Sequence, residues 1–232
     1  MSPRRKLHKF AEILKYPNVY ENYDPKFPKL TVASGEHKDM KGHWNMKHFI
    51  NDNPIVLELA CGRGEYTLEL SKLYPDKNFI GIDIKGARIW KGASRALENG
   101  LKNVAFARFR IEMIENFIGQ NEVDEIWITF PDPFLKNGKE NRRLTSPSFL
   151  DRFSKILKPG GVLHLKTDSS VLFGYSQRSI SAHPLFDLSY HNDDIYAFDR
   201  IEKVLSIQTH YEKIHLEKGL SIKYVKAINC KI

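Results

Sequence analysis

From Pro54 onward, short runs of β-branched and aromatic residues alternate with segments whose apolar positions recur every three or four residues. That rhythm predicts strands and helices in turn. Ile55–Leu59 reads as a strand, followed by a helix over Glu65–Tyr74 in which Tyr66, Leu70, Leu73 and Tyr74 share a face and Pro75 is the stop. A second strand at Phe79–Asp83 leads to a helix over Ala87–Asn99, ended by Gly100. Val104–Phe109 and Glu125–Phe130 read as the third and fourth strands, and Val162–Lys166 as a fifth after a helix at Ser148–Leu157. Ser169 or Ser170 can cap a further helix to about Ala182. Phe186–Tyr190 and Ser221–Ile228 alternate like an antiparallel pair. The expected architecture is α/β: a doubly wound, mostly parallel, seven-stranded sheet with an antiparallel strand near the C-terminus. Residues 1–50 lack this rhythm and are rich in Lys, His, Pro and Asn, so a basic N-terminal arm with one short helix at about 6–15 is expected before a catalytic domain over 51–232.

Composition narrows the classes. The 232 residues suffice for one such domain, and the 41% hydrophobic share contains no apolar run of membrane-spanning length. The basic N-terminus has no apolar core of a signal peptide, and Cys61 and Cys230 show neither a disulfide framework nor metal-ligand spacing. A cytoplasmic protein is expected. A net charge of +8 favours an anionic partner, and the basic residues cluster: Arg4, Arg5, Lys6 and Lys9, then Lys136, Lys139, Arg142 and Arg143.

The first strand runs into Ala60-Cys61-Gly62-Arg63-Gly64, and Gly62 and Gly64 allow a tight turn with close backbone approach by a ligand. A dinucleotide fingerprint would place a third glycine where this chain has Thr67. Asp83 ends the second strand, placed to accept from both hydroxyls of a ribose. Glu58, inside the first strand, would repel a pyrophosphate and hold a cationic amino-acid group. These features fit S-adenosylmethionine better than a nicotinamide or flavin dinucleotide. The chain here resembles the class I methyltransferases, in the Glu58–Gly64 turn, the Asp83 strand end and Leu157-Lys158-Pro159-Gly160-Gly161 before the fifth strand.

The fourth strand exits into Phe130-Pro131-Asp132-Pro133-Phe134-Leu135-Lys136, with Asn141-Arg142-Arg143-Leu144-Thr145 close behind. The prolines cannot donate ladder hydrogen bonds, so Asp132 stands at a C-terminal strand edge, where open α/β sheets bind ligands. With Lys166-Thr167-Asp168 and Thr209-His210-Tyr211-Glu212, these motifs resemble the tRNA guanine-N7 methyltransferases from about Val56 to Ala227.

The resemblance implies a Rossmann-like class I methyltransferase fold and transfer of a methyl group to a guanine of the tRNA variable loop. It implies that Glu58, Gly62, Gly64, Asp83 and Asp132 serve the cofactor, with Asp132 also at the catalytic centre, and that Lys136, Asp168, Thr209 and Glu212 meet the tRNA. Arg142 and Arg143 would hold phosphates. A monomer or homodimer without an obligate partner subunit is expected. The competing readings are a methyltransferase for exocyclic amines or proteins, and a non-catalytic RNA-binding protein on the same fold. Trp127, Phe130 and Phe134 read as core and cavity wall, and His210 as incidental. Thr-x-x-Glu from Thr209 is also a capping box. Three departures stand out: Phe134–Lys139 carries less positive charge than the family loop, Arg110 stands at the usual adenine-side aspartate, so that role is not carried over although Glu112 could replace it, and Ala60 replaces a glycine. A methyl group at Ala60 is tolerable with a negative backbone φ.

Overall fold

The computed structural model describes residues 8–9, 11–197 and 201–231. Ten strands form one sheet: β1 (Val19–Glu21), β2 (Leu30–Thr31), β3 (His37–Lys38), β4 (Ile55–Leu59), β5 (Asn78–Ile82), β6 (Val104–Arg108), β7 (Val123–Thr129), β8 (Leu157–Thr167), β9 (Phe186–Asn192) and β10 (Lys223–Asn229). Their order is β3-β2-β1-β6-β5-β4-β7-β8-β10-β9. β6, β5, β4, β7 and β8 are parallel, and β10 runs antiparallel between β8 and β9.

The seven strands from β4 to β10 match the expected architecture, and the count of seven is corrected to ten by the N-terminal region. β1 pairs in parallel with β6, and β2 and β3 add antiparallel neighbours. Two- and three-residue strands leave no periodic signature, so the polar texture concealed them. Met40 and Trp44 from this region are buried in the core, and the Trp44 indole N–H donates to the Phe117 carbonyl at 2.9 Å. Residues 8–9 and 11–13 are helical. Arg4, Arg5 and Lys6 of the basic cluster lie outside the described residues.

Helices α1 (Glu65–Leu73) and α2 (Gly86–Glu98) cover one face of the sheet; α3 (Pro147–Ile156) and α4 (Ser170–Ser181) cover the other. Their apolar stripes explain this division. Tyr66, Leu68, Leu70, Ile89, Ala93 and Ala96 pack with Val56, Phe79 and Trp127, while Phe149, Leu150, Phe153, Leu172 and Ile180 pack with Leu57, Ile80 and Leu165. Alternate residues of each buried strand thus supply opposite cores. Ser169 caps α4, its hydroxyl accepting from Leu172 N at 3.2 Å.

The chain leads from β4 outward to β5 and β6 on one side, and then to β7 and β8 on the other. This reversal opens a crevice at the C-terminal ends of β4 and β7. The two loops carrying most of the candidate chemistry, Ala60–Gly64 and Phe130–Phe134, leave the sheet at that point.

Candidate active site

Glu58 is the most constrained carboxylate of the crevice. It is 3% exposed, and Oε2 accepts from both the backbone N–H of Thr67, at 2.8 Å, and the Thr67 hydroxyl. Oε1 accepts from Thr129 Oγ1 at 2.8 Å. Thr67, the residue that breaks the dinucleotide pattern, is therefore the donor that holds Glu58. Burial raises the Glu58 pKa to about 7, against weaker lowering by these hydrogen bonds, and the Asp83 charge adds to the rise. The folded state thus binds an extra proton between the ordinary value of 4.5 and about 7. Stability is expected to fall as pH rises through that window, and Glu58→Gln to flatten this slope in a series of thermal melts.

Asp83 ties two turns together. Oδ2 accepts from Gly62 N at 2.9 Å and Oδ1 from Lys85 N at 2.8 Å. A Cβ on Gly62 would meet only the Ala60 carbonyl, at 4.0 Å, so the space before it is open to a ligand. Gly64 has a different reason: with φ +66°, it leaves room for the Phe106 ring, which a Cβ would approach to 2.6 Å.

Ala60 has φ +57°, contrary to the expected negative value. The turn imposes a left-handed backbone between β4 and Cys61, whose N–H donates to the Ile82 carbonyl at 3.0 Å. Ala60→Gly is expected to keep or raise the melting temperature, whereas Ala60→Val should lower stability by more than about 1 kcal/mol in denaturant titrations.

Asp132 is exposed, with Oδ1 accepting from Phe134 N at 3.0 Å. Phe130 and Phe134, on either side, also have positive φ, at 48° and 43°. The fixture that holds this bent loop is Arg143. Its guanidinium donates to the carbonyls of Pro133 at 2.9 Å and Phe134 at 3.1 Å and lies 4.5 Å from the Tyr175 ring. At 4% exposure it is turned inward, toward the loop and away from the position expected for a phosphate ligand. Arg142 is exposed and stacks over Phe134 at 4.7 Å, and Lys136 is exposed on the same loop.

A cavity of about 330 Å³ joins these groups. Asp83, Arg110 and Glu112 stand on its wall with Asp132, Phe134 and Arg142, and Ile84, Phe109 and Ile111 make an apolar side. Arg110 and Glu112 pair loosely, at 3.8 Å, so either is free to turn toward a ligand. Ala60 also lines a smaller neighbouring cavity of about 70 Å³, bounded by Glu58, Gly62, Arg88, Thr129 and Thr209.

The profile of a family described as "Putative methyltransferase" matches residues 52–225. The chain is 49% identical over 223 residues to the tRNA (guanine-N(7)-)-methyltransferase of Bacteroides thetaiotaomicron, covering 96% of this chain and 85% of that protein. The chain belongs to the tRNA (guanine-N(7)-)-methyltransferase family. The relative from Christiangramia forsetii is 48% identical, over 97% of this chain and 98% of its own length. Among solved structures, the 16S rRNA methyltransferase KamB superposes with a TM-score of 0.61 at 12% identity, covering 84% of this chain and 96% of that chain, a likeness of fold alone.

Set against the family motifs, the C-terminal residues divide. Helix α5 (His210–Glu217) begins at Thr209, whose hydroxyl accepts from Glu212 N at 3.2 Å, so the capping half of the motif is present. Glu212 does not reach back to complete the box. Fully buried, it pairs with Lys166 at 2.8 Å and accepts from the Tyr196 hydroxyl at 2.9 Å. The carboxylate expected to meet tRNA thus faces inward in this arrangement, where it anchors α5. Asp168, at the β8 exit, lies 2.7 Å from His215 Nδ1 of α5, whose ring meets Phe130 edge-on at 5.8 Å. His215 left no signal in the sequence, because its position depends on the α5 docking. His210 contributes its backbone N–H to Glu65 at 2.6 Å.

Proposed function

We propose that the protein transfers the methyl group of S-adenosylmethionine to N7 of a guanine in the variable loop of tRNA. The observation that carries this reading is the position of Asp132 on the same cavity wall as Asp83, in a chain 45–49% identical to curated tRNA (guanine-N(7)-)-methyltransferases. When bound, the cofactor supplies an electrophilic methyl group on a sulfonium.

The donor set suits that group. Asp83 would take the ribose hydroxyls, the apolar side formed by Ile84, Phe109 and Ile111 suits an adenine ring, and Gly62 gives open access to the turn. Glu58 and Thr129 bound the smaller cavity, where a carboxylate favours a cationic amino-acid group. Glu112, on the larger cavity, is the substitute for the missing adenine-side aspartate.

Guanine N7 carries a lone pair, so its methylation needs no base to remove a proton. Acceleration must then come from positioning and electrostatics. Asp132 would stabilise the positive charge that develops on the purine and accept from its N1–H and amino group. Asp168 would assist from the β8 exit, and Thr209 would contribute from the wall of the smaller cavity. Lys136 and Arg142, both exposed, would hold phosphates without reading sequence, and tRNA shape would select the guanine. Lys136→Ala is expected to weaken tRNA binding and lower the salt slope by about 1. Filter binding across a salt series checks this. Action in the cytoplasm as a monomer or homodimer accompanies the reading, and sedimentation with and without tRNA examines the second point.

The deciding experiment is transfer of labelled methyl groups from S-adenosylmethionine to unmodified tRNA, followed by borohydride and aniline treatment, which cleaves at N7-methylguanine. One cut in the variable loop is expected. Label without a cut would overturn the assignment of N7.

A further inference from the structure

We propose that the open flank of α2, carrying Arg88, Lys91 and Arg95, is a tRNA-binding surface that holds backbone phosphates beyond the target nucleotide. The proposal rests on the reading of the protein as a tRNA methyltransferase. Positions three and then four residues apart share one side of a helix, so the three cations form a row about 10 Å long on α2. That length meets about three phosphates of one strand. Arg95 is exposed, and Arg88 and Lys91 are partly so.

No carboxylate among the described residues neutralises this row. The side chains of Lys91 and Arg95 make no hydrogen bond or ion pair there, and Arg88 donates to the Tyr211 hydroxyl, at 3.5 Å. The acids of α1 and α2 are engaged elsewhere: Glu65 accepts from His210 N at 2.6 Å, Glu69 pairs with Lys72 at 2.8 Å, and Glu98 accepts from Ser94 Oγ at 2.7 Å. On the rest of the surface, cations with acidic neighbours are paired, as Lys155 is with Glu115 and Lys158 with Asp124. A row of unpaired cations repels itself, and an anionic partner relieves that repulsion.

The fold covers the opposite flank of α2 and leaves this one open. Trp90 donates its indole N–H to Glu12 at 2.8 Å, and Lys9 of the N-terminal helical segment lies 4.2 Å over its ring. At its upper end the row joins the crevice, where Arg88 stands with Arg63 on the wall of the smaller cavity, beside Thr209. Gly92 makes that junction close, since a Cβ there would come within 2.8 Å of the Arg63 carbonyl. The row thus leads away from the site where the target guanine is expected. Selection by tRNA shape needs such phosphate contacts outside the target base.

The test compares the full chain with two double variants, by direct binding of an unmodified tRNA transcript across a salt series. Lys91→Ala/Arg95→Ala removes two cations of the row, at positions where alanine favours the helix. It is expected to weaken tRNA binding about tenfold at low salt and to lower the salt slope by about 1 for each residue, with the difference from wild type closing as salt rises. The melting temperature, the KM for S-adenosylmethionine and kcat at saturating tRNA should stay unchanged. Lys155→Ala/Lys158→Ala removes the same formal charge from cations already paired with carboxylates, and should keep the wild-type slope. An unchanged slope in the α2 variant would overturn the surface. An equal fall in both variants would do so too, by reducing the effect to net charge. A slope lowered in the α2 variant alone, with no cleavage at N7-methylguanine, would keep the surface and sink the functional reading; cleavage with an unchanged slope would do the reverse.

Discussion

Asp132→Ala is expected to lower single-turnover methyl transfer by at least about 10²-fold, with the melting temperature nearly unchanged. The side chain is exposed and makes one hydrogen bond, to Phe134 N, so the fold depends little on it. Its loop is held from below by Arg143, through the carbonyls of Pro133 and Phe134, and that support survives the substitution. Asp132→Asn separates shape from charge, since the amide oxygen can still accept from Phe134 N while the negative charge is gone. If the charge stabilises the methylated purine, both variants lose rate to a similar degree and bind cofactor normally. A fully active asparagine variant would restrict Asp132 to orientation.

Breaking the buried pair of Lys166 and Glu212 is the second large effect. Lys166→Met is expected to destabilise the protein by about 3–5 kcal/mol, because it leaves an uncompensated carboxylate in the interior. The Lys166 ammonium also donates to the Leu205 carbonyl at 2.8 Å and the Ile207 carbonyl at 3.1 Å, so its removal strands two backbone acceptors as well. At about 2–4 °C per kcal/mol for a chain of this size, the melting temperature should fall by roughly 10 °C. The double variant Lys166→Met/Glu212→Leu should recover much of that loss, since the buried charge is then absent. Equal destabilisation in the single and double variants would mean that the carbonyl contacts, and not the ion pair, carry the anchoring.

Glu58 and Asp83 illustrate what a motif conveys. Both carboxylates stand beside the glycine turn, as their positions at strand ends implied, yet each already holds backbone N–H groups of the protein. A ligand at this site therefore meets carboxylates whose orientation is fixed before it arrives, the arrangement a positioning-dominated reaction needs.

The sequence by itself determined the strands and helices from Ile55 to about Ala182, the final antiparallel pair and their winding, because hydrophobic period and turn residues are local properties that survive any packing. It also located Asp83 and Asp132, since a carboxylate at a strand exit follows from the strand. Only the tertiary structure decided which charges face solvent. Arg142 and Arg143 are neighbours in sequence, but one lies over the cavity and the other is buried under the Phe130–Phe134 loop. Thr209 and Glu212 read alike as substrate contacts, but Glu212 is drawn inward by a lysine 46 positions earlier in the chain. Burial and ion pairing arise from long-range docking, of Tyr175 of α4 on Arg143 and of α5 on Lys166, for which a short motif leaves no periodic record.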